Sequence, residues 1–412
     1  MAKKRGNSEG SIYRMKDGRW RAAVMIGKKP DGKPIRKIFT AHTRREVQDR
    51  LAAALRDRQL GLFVTPEKQT TAQFLTWWLN EVVKPSARPK TMKFYEFEAR
   101  VHLIPGLGKI PLQKLTPQQV QMFLNAKLSK PSNRTGRPLS ARSVRHIHRT
   151  LCTALSSAVK YGNVVRNVGK LVDPPLATKP TTQYLTVEQA RGFLEIAKGD
   201  RLFALYATVL SLGLRLGEGL GIAWPDVDLD TGRFNIQQAL QRIDKKLYPE
   251  KGGLQLVEPR GGYSARVVTL PAVAISALRH HQVLQEEERR WAGRRWHNNW
   301  NLVFTTKIGT PLDERNVLRR FLGILALAGL PKMRLHDLRH SAVAILIAQG
   351  VHIKAISELL GHSSVAFTLQ VYGHLLEETK RETAAKMDEA LNPIQSGVAT
   401  SVATKSASDK VN

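Results

Sequence analysis

The stretch VVRNVGKLVDPPLATKPTTQ at residues 164–183 carries Pro174, Pro175 and Pro180. Each proline fixes φ and removes a backbone donor, so no long helix or ladder strand runs through it. It predicts a linker over 166–183. The chain of 412 residues is then expected to fold as separate units on either side, two or three domains in all. Charge divides at the same place. Residues 1–180 hold 36 of the 65 Lys+Arg but 11 of the 34 Asp+Glu, so +25 of the formal +31 lies before residue 181. A solvated basic face accounts for any single cluster, but an excess this segregated points to a polyanionic partner whose phosphates release counterions on binding. Anionic membrane is the other polyanion to weigh. No run of about 18 apolar residues spans a bilayer, and the opening MAKKRGNSEG lacks the apolar core of a signal peptide. Cys152 is the single cysteine, which excludes an internal disulfide and a multi-cysteine metal cluster. The expectation is a cytoplasmic, DNA-associated protein with no membrane partner.

Three folded parts are expected. Over 1–62, GSIYRMKDGRWRAAVMIGKKPDGKPIRKIF predicts three short strands, with Asp17-Gly18 and Asp31-Gly32 as turns. Trp20, Ala22, Val24 and Ile26 alternate toward one buried face. Thr43 with Glu46 forms a capping box for a helix to about Gln59. Arg19, Arg21 and Arg36 on the open face are candidate DNA contacts; a basic domain serving solubility is the plainer alternative.

Over 67–165 the signals are helical. Phe74, Trp77, Trp78 and Val82 recur at helical spacing, Thr116 caps a helix with Pro117 at its first position, and Ser140 caps another. On that last helix Arg142, Arg145 and Arg149, with His146, make a candidate phosphate-facing stripe, a solvated face being the alternative for any one of them. Residues 184–391 open with a capping box, Thr186 with Gln189, then alternate helices with a strand-rich patch at 233–270. Residues 392–412, small and polar, are expected to be disordered. The fold class expected is multidomain α+β: a three-stranded sheet plus helix, an all-helical domain, and a mainly helical domain with a small antiparallel sheet.

No phosphate-binding G-x-x-x-x-G-K-[ST] loop and no G-x-S-x-G elbow occurs in the sequence, so nothing points to an ATP-driven motor or a serine hydrolase. In RLHDLRHSAVAILIAQG, His336, Arg339 and His340 share one helix face. H-D-x-x-H invites a zinc reading, but the fixed charge of Arg339 on that face repels a cation, and no metal is expected. Two further stretches belong with it: GLRLGE, holding Arg215, and LLGHSSVAFTLQVYGHL, holding His362, Tyr372 and His374. Two arginines and two histidines beside a tyrosine suit a phosphodiester. Guanidinium forks match the non-bridging oxygens, imidazoles donate hydrogen bonds or move protons, and a phenol can attack phosphorus.

The order GLRLGE, LHDLRHS, LLGHSSVAFTLQVYGH resembles the tyrosine recombinases, the phage-type integrase family, along the whole chain. By that resemblance residues 1–62 are an arm-type DNA-binding domain, 67–165 a core-binding domain and 184–391 the catalytic domain. The resemblance implies a site-specific recombinase that cuts and rejoins DNA through a 3′-phosphotyrosyl intermediate, integrating or excising a phage or mobile element without cofactor, ATP or metal. Arg215, His336, Arg339 and His362 would activate the phosphate and Tyr372 would be the nucleophile, with Glu218 orienting Arg215 and His374 a bystander. The family has a lysine between two strands as general acid; VEPRGGYSARVVTLP has Arg260 there, a poor proton donor, so Arg260 acts electrostatically or Lys251 reaches in. The expected partners are double-stranded DNA at core and arm attachment sites, a homotetramer on that DNA, and accessory excision or DNA-bending proteins. Residues 376–391 could exchange between protomers or pack on their own domain. A DNA-binding regulator without catalysis is the competing class.

Overall fold

The computed structural model describes residues 10–28, 34–59, 69–131, 136–178, 183–259, 265–362 and 364–373, with Met387 and Leu391. The chain divides into two compact units, Met1–Pro180 with Lys246–Pro249 and Thr181–Lys245 with Glu250–Asn412. The Asp31-Gly32 turn, Arg260, the disordered tail expected over 392–412 and, apart from Met387 and Leu391, the exchange segment 376–391 lie outside the described residues, as does the Ile26 side chain.

In the first unit β1 (Ser11–Arg14), β2 (Trp20–Lys28) and β3 (Pro34–Ala41) form an antiparallel sheet in that order. Gly18, at φ +84°, makes the turn that a residue with a Cβ resists. The Thr43 hydroxyl accepts the Glu46 N–H at 3.3 Å at the start of α1 (Arg44–Gln59). Val47, Leu51 and Ala54 of this helix pack with Ala22, Val24 and Ala41 of the sheet. Arg21 stands opposite Thr40, and Arg36 opposite Met25, on the face where Tyr13 and Ile38 are exposed. Arg19 instead sits at the β1–β2 turn with its guanidinium held by Asp17 at 2.6 Å.

The helical part begins with α2 (Thr71–Trp77), which runs through a π-helical turn, Trp78–Val83, into α3 (Lys84–Ser86). Likewise α4 (Pro89–Glu98) runs through Ala99–Leu103 into α5 (Ile104–Leu107). A π turn holds one residue more than an α turn, so the buried stripe shifts: Phe74, Trp78 and Val83 are buried, while Val82 is only half-buried and Trp77 is exposed. Thr116 caps α6 (Pro117–Ser129) with Gln119 in a capping box, and Ser140 caps α7 (Ala141–Lys160). Within the stretch read as linker, Asn167 caps a short 3-10 turn, Val168–Leu171. It is held by His148 on the Gly169 carbonyl at 2.8 Å and by Asn167 on the Cys152 carbonyl at 2.7 Å.

The second unit starts with the Thr186–Gln189 capping box on α8 (Val187–Ala197), followed by α9 (Phe203–Leu212) and the single-turn α10 (Leu216–Leu220). Every residue of α9 but Phe203 and Ser211 is buried, which makes it the central post. Strands β4 (Val227–Asp228), β5 (Arg233–Ile236) and β8 (Arg266–Thr269) form one antiparallel sheet; β6 (Ala239–Ile243) and β7 (Gly253–Val257) form a second. Then come α11 (Ala272–Ala292), α12 (Glu314–Leu327), α13 (Asp337–Ala348), α14 (Ile353–Leu360) and α15 (Val365–Tyr372). Phe193, Tyr206 and Phe321 meet in the core. Arg201 makes a two-pronged ion pair with Glu288 and donates to the Thr305 carbonyl at 2.6 Å. No helix among the described residues is long and apolar enough to cross a membrane.

Candidate active site

Two helix ends in the second unit stop on left-handed glycines. Gly213 (φ +60°) ends α9 and Gly361 (φ +63°) ends α14, a conformation that suits glycine because it lacks a Cβ. Arg215 follows the first by two residues and His362 follows the second directly. Arg339, on the first turn of α13, joins the two ends. Its Nη1 donates to the Gly213 carbonyl at 2.7 Å and its Nη2 to the Leu360 carbonyl at 3.0 Å. Only 3% of Arg339 is exposed. Burial works against its charge and lowers its pKa, with Arg215 and Arg266 adding to the effect and Glu218 opposing it.

Arg215 occupies the N-cap of α10, where the Glu218 carboxylate accepts from its backbone N–H at 3.1 Å and from its Nη1 at 2.6 Å. A carboxylate in the first turn also suits the helix dipole. Glu218 is 2% exposed. Burial alone would raise its pKa, but the charges of Arg266 and Arg215 outweigh that and hold it below the usual carboxylate range. The Arg215 side chain, 31% exposed, is the open end of this arrangement.

His362 shares a hydrogen bond between its Nδ1 and the Thr368 hydroxyl at 2.8 Å. Desolvation, then the positive charges of Arg339, Arg215 and Arg266, push its pKa down to about 4, so at neutral pH the imidazole is uncharged. His336 stands at the surface at the start of α13, its pKa lowered by desolvation and then by His340 and Arg339.

Tyr372 ends α15 and is 3% exposed. It packs with Val343, Ile347, Ile356 and Leu360, while its hydroxyl is hydrogen-bonded to Nδ1 of His340. Burial pushes its pKa up to about 12, although the Arg339 charge pulls the other way.

The structure thus brings together Arg215, Arg339, His362 and Tyr372, with His336 stacked edge-on to His340 at 5.2 Å. Arg260 and His374 lie outside the described residues, and Lys251 is exposed in the turn before β7. Two residues at the site were not singled out for it from the sequence: His340, visible only as the i+4 neighbour of His336, and Arg266, the first residue of β8. Among the described residues, no three His, Cys, Asp or Glu side chains are placed to share a metal ion. In the first unit, Arg142, Arg145 and Arg149 project as one exposed row from α7.

Residues 183–379 match the model of the phage integrase family, and residues 70–128 match that of the phage integrase N-terminal SAM-like domain. The chain belongs to the phage integrase family and is a tyrosine site-specific recombinase of the kind found in mobile elements. An integrase of Streptomyces ambofaciens is 31% identical over 398 residues, covering 94% of this chain and 98% of that one. A tyrosine recombinase XerC-like protein of Caldanaerobacter subterraneus subsp. tengcongensis is 29% identical over 383 residues, covering 90% and 96%. In fold, the chain is similar to the Tn1549 transposon integrase solved with a circular intermediate DNA, at a TM-score of 0.63, 19% identity and coverage of 78% of this chain and 99% of that one. A lambda integrase dimer on a core site gives a TM-score of 0.53 at 17% identity, with 90% and 96% covered.

Proposed function

We propose that Tyr372 attacks a DNA phosphodiester held by Arg215, Arg339, His336 and His362, forming a 3′-phosphotyrosyl bond and releasing a 5′-hydroxyl. The observation that carries this reading is the position of the Tyr372 hydroxyl beside Arg339 and in hydrogen-bond contact with Nδ1 of His340. A phenol whose pKa is raised to about 12 is protonated at neutral pH and attacks only as a base takes its proton. His340, uncharged there because burial lowers its pKa, supplies that base at Nδ1. The P–O5′ bond breaks as the Tyr–O–P bond forms, and the leaving oxygen takes up one proton, so the step is neutral in protons. Arg260 or Lys251 assists that departure. Guanidiniums stabilise the added charge on the equatorial oxygens. The reverse step, with the 5′-hydroxyl of another strand, rejoins the DNA.

Residues 1–62 serve as an arm-site domain, with Arg21 and Arg36 on its open face and Arg19 at its turn. Residues 67–165 are the core-binding domain with the Arg142–Arg145–Arg149 row, 166–183 the connection, and 184–391 the catalytic domain. Four protomers assemble on two duplexes, with accessory excision or DNA-bending proteins setting direction. Solved relatives support the assembly: one similar structure is a lambda integrase tetramer bound to a Holliday junction.

The test is covalent capture. Duplexes with a randomised core and a 5′-bridging phosphorothiolate are incubated with the protein, and DNA attached to it is recovered and sequenced. Wild type should enrich one core sequence in a denaturant-stable adduct, and Tyr372→Phe should bind that duplex without attaching to it. An adduct formed by Tyr372→Phe overturns the assignment.

A further inference from the structure

We propose that Arg266 is a positioning residue for strand cleavage, holding Arg215 and His362 in place from the far side of Glu218; this rests on the phosphotyrosine reading above. Arg266 is 8% exposed in its side chain. Its Nη2 donates to Glu218 Oε2 at 3.2 Å, and its Nε donates to the Leu359 carbonyl at 2.6 Å. The same Oε2 accepts the backbone N–H of Arg215, while Oε1 accepts the Arg215 side chain. One carboxylate therefore lies between two guanidiniums, one buried and one facing outward.

The charge arithmetic explains the need for the second cation. A buried Glu218 paired with Arg215 alone would cancel the charge that Arg215 must present to the phosphate. With Arg266 on its other side, the three groups together remain at +1, and the exposed guanidinium carries that excess outward. Coulomb attraction at these short distances in a poorly solvated site is strong enough for the division to matter. The second grip acts on His362. The Leu359 carbonyl held by Arg266 and the Leu360 carbonyl held by Arg339 are consecutive. They immediately precede the turn at Gly361, after which His362 has its own N–H on the Ser357 carbonyl at 3.0 Å. Strand β8 thus fixes both the α10 arginine and the α14 turn.

Single-turnover cleavage of the captured duplex tests this. Arg266→Gln is expected to slow cleavage about tenfold or more while the half-saturating DNA concentration stays within about twofold. Adding Glu218→Gln to that variant should restore a large part of the rate, because the carboxylate that neutralises Arg215 is gone; a residue that only props up the fold would show no such rescue. Cleavage by Arg266→Gln at the wild-type rate overturns the proposal, and so does a double variant as slow as the single one. If Arg266→Gln lacks the wild-type circular dichroism spectrum, Arg266→Lys takes its place. It keeps the charge but not the two-point grip, and should cleave at least about threefold slower at unchanged half-saturation; a wild-type rate, or a loss confined to binding, overturns the proposal. Failure of the wild-type protein to form any adduct overturns the phosphotyrosine reading itself.

Discussion

The Tyr372 hydroxyl and Nδ1 of His340 share a hydrogen bond between residues 32 apart in the sequence. Asp337 favours the charged form of His340, while Arg334 and Arg339 and, above all, burial disfavour it, so that its pKa lies below the ordinary 6.5. His340 accepts a proton only when neutral. Cleavage should therefore fall as the pH drops through that lowered pKa, below 6.5. His340→Gln should reduce single-turnover cleavage about a hundredfold at pH 7.5 and lose this acid limb, with DNA affinity unchanged. A pH–rate profile that keeps its acid limb in the variant would assign the limb to another group.

Gly213→Ala should damage cleavage more than binding. A Cβ there would lie 2.5 Å from Leu360 Cδ2 and 3.4 Å from the Ala342 Cβ, on a backbone at φ +60°. The strain costs about 1–3 kcal/mol, read as a lower thermal midpoint. It also displaces a carbonyl that Arg339 holds, so cleavage should drop beyond what the loss of folded protein explains.

His281 makes the second unit sensitive to acid. It is 1% exposed, its Nε2 is 2.9 Å from the Val303 carbonyl, and burial pushes its pKa down to about 4. The unfolded chain takes up a proton near pH 6.5 while the folded one resists until about 4, so stability is full above 6.5 and lost as the pH falls. At pH 5 the loss from this group is about 2 kcal/mol. Thermal melts at pH 7 and pH 5 should differ by several degrees in the wild type and by less in His281→Gln.

The row on α7 should appear in the salt dependence of DNA binding. Replacing Arg142, Arg145 and Arg149 together with Gln should flatten the slope of log K against log salt by about two to three. Cleavage at saturating DNA should be little changed. An unaltered slope would mean the row faces solvent in the complex.

Local chemistry made most element starts legible in the sequence. Thr43 with Glu46, Thr116 before Pro117, Ser140, and Thr186 with Gln189 each act within three residues, and each sits at the helix start that its pattern predicts. Two things were hidden. The π turns at 78–83 and 99–103 add a residue to the helical period, moving burial from Val82 to Val83, and no residue type marks such an insertion. The partners of His340 and Arg266 lie 32 and 48 residues away, so their roles depend on how α13, α15, β8 and α10 converge. The order of Arg215, His336, Arg339, His362 and Tyr372 was readable; the network that sets their charges was not.

Arg339 ties together the ends of α9 and α14, and two of its five donors are already committed to carbonyls before any DNA arrives. A guanidinium pinned in that way cannot turn its plane to follow an incoming phosphate. The site is therefore handed, because a guanidinium fixed in orientation meets the two non-bridging oxygens differently. Replacing one or the other by sulfur at the scissile position makes two diastereomers that this protein should cleave at unequal rates.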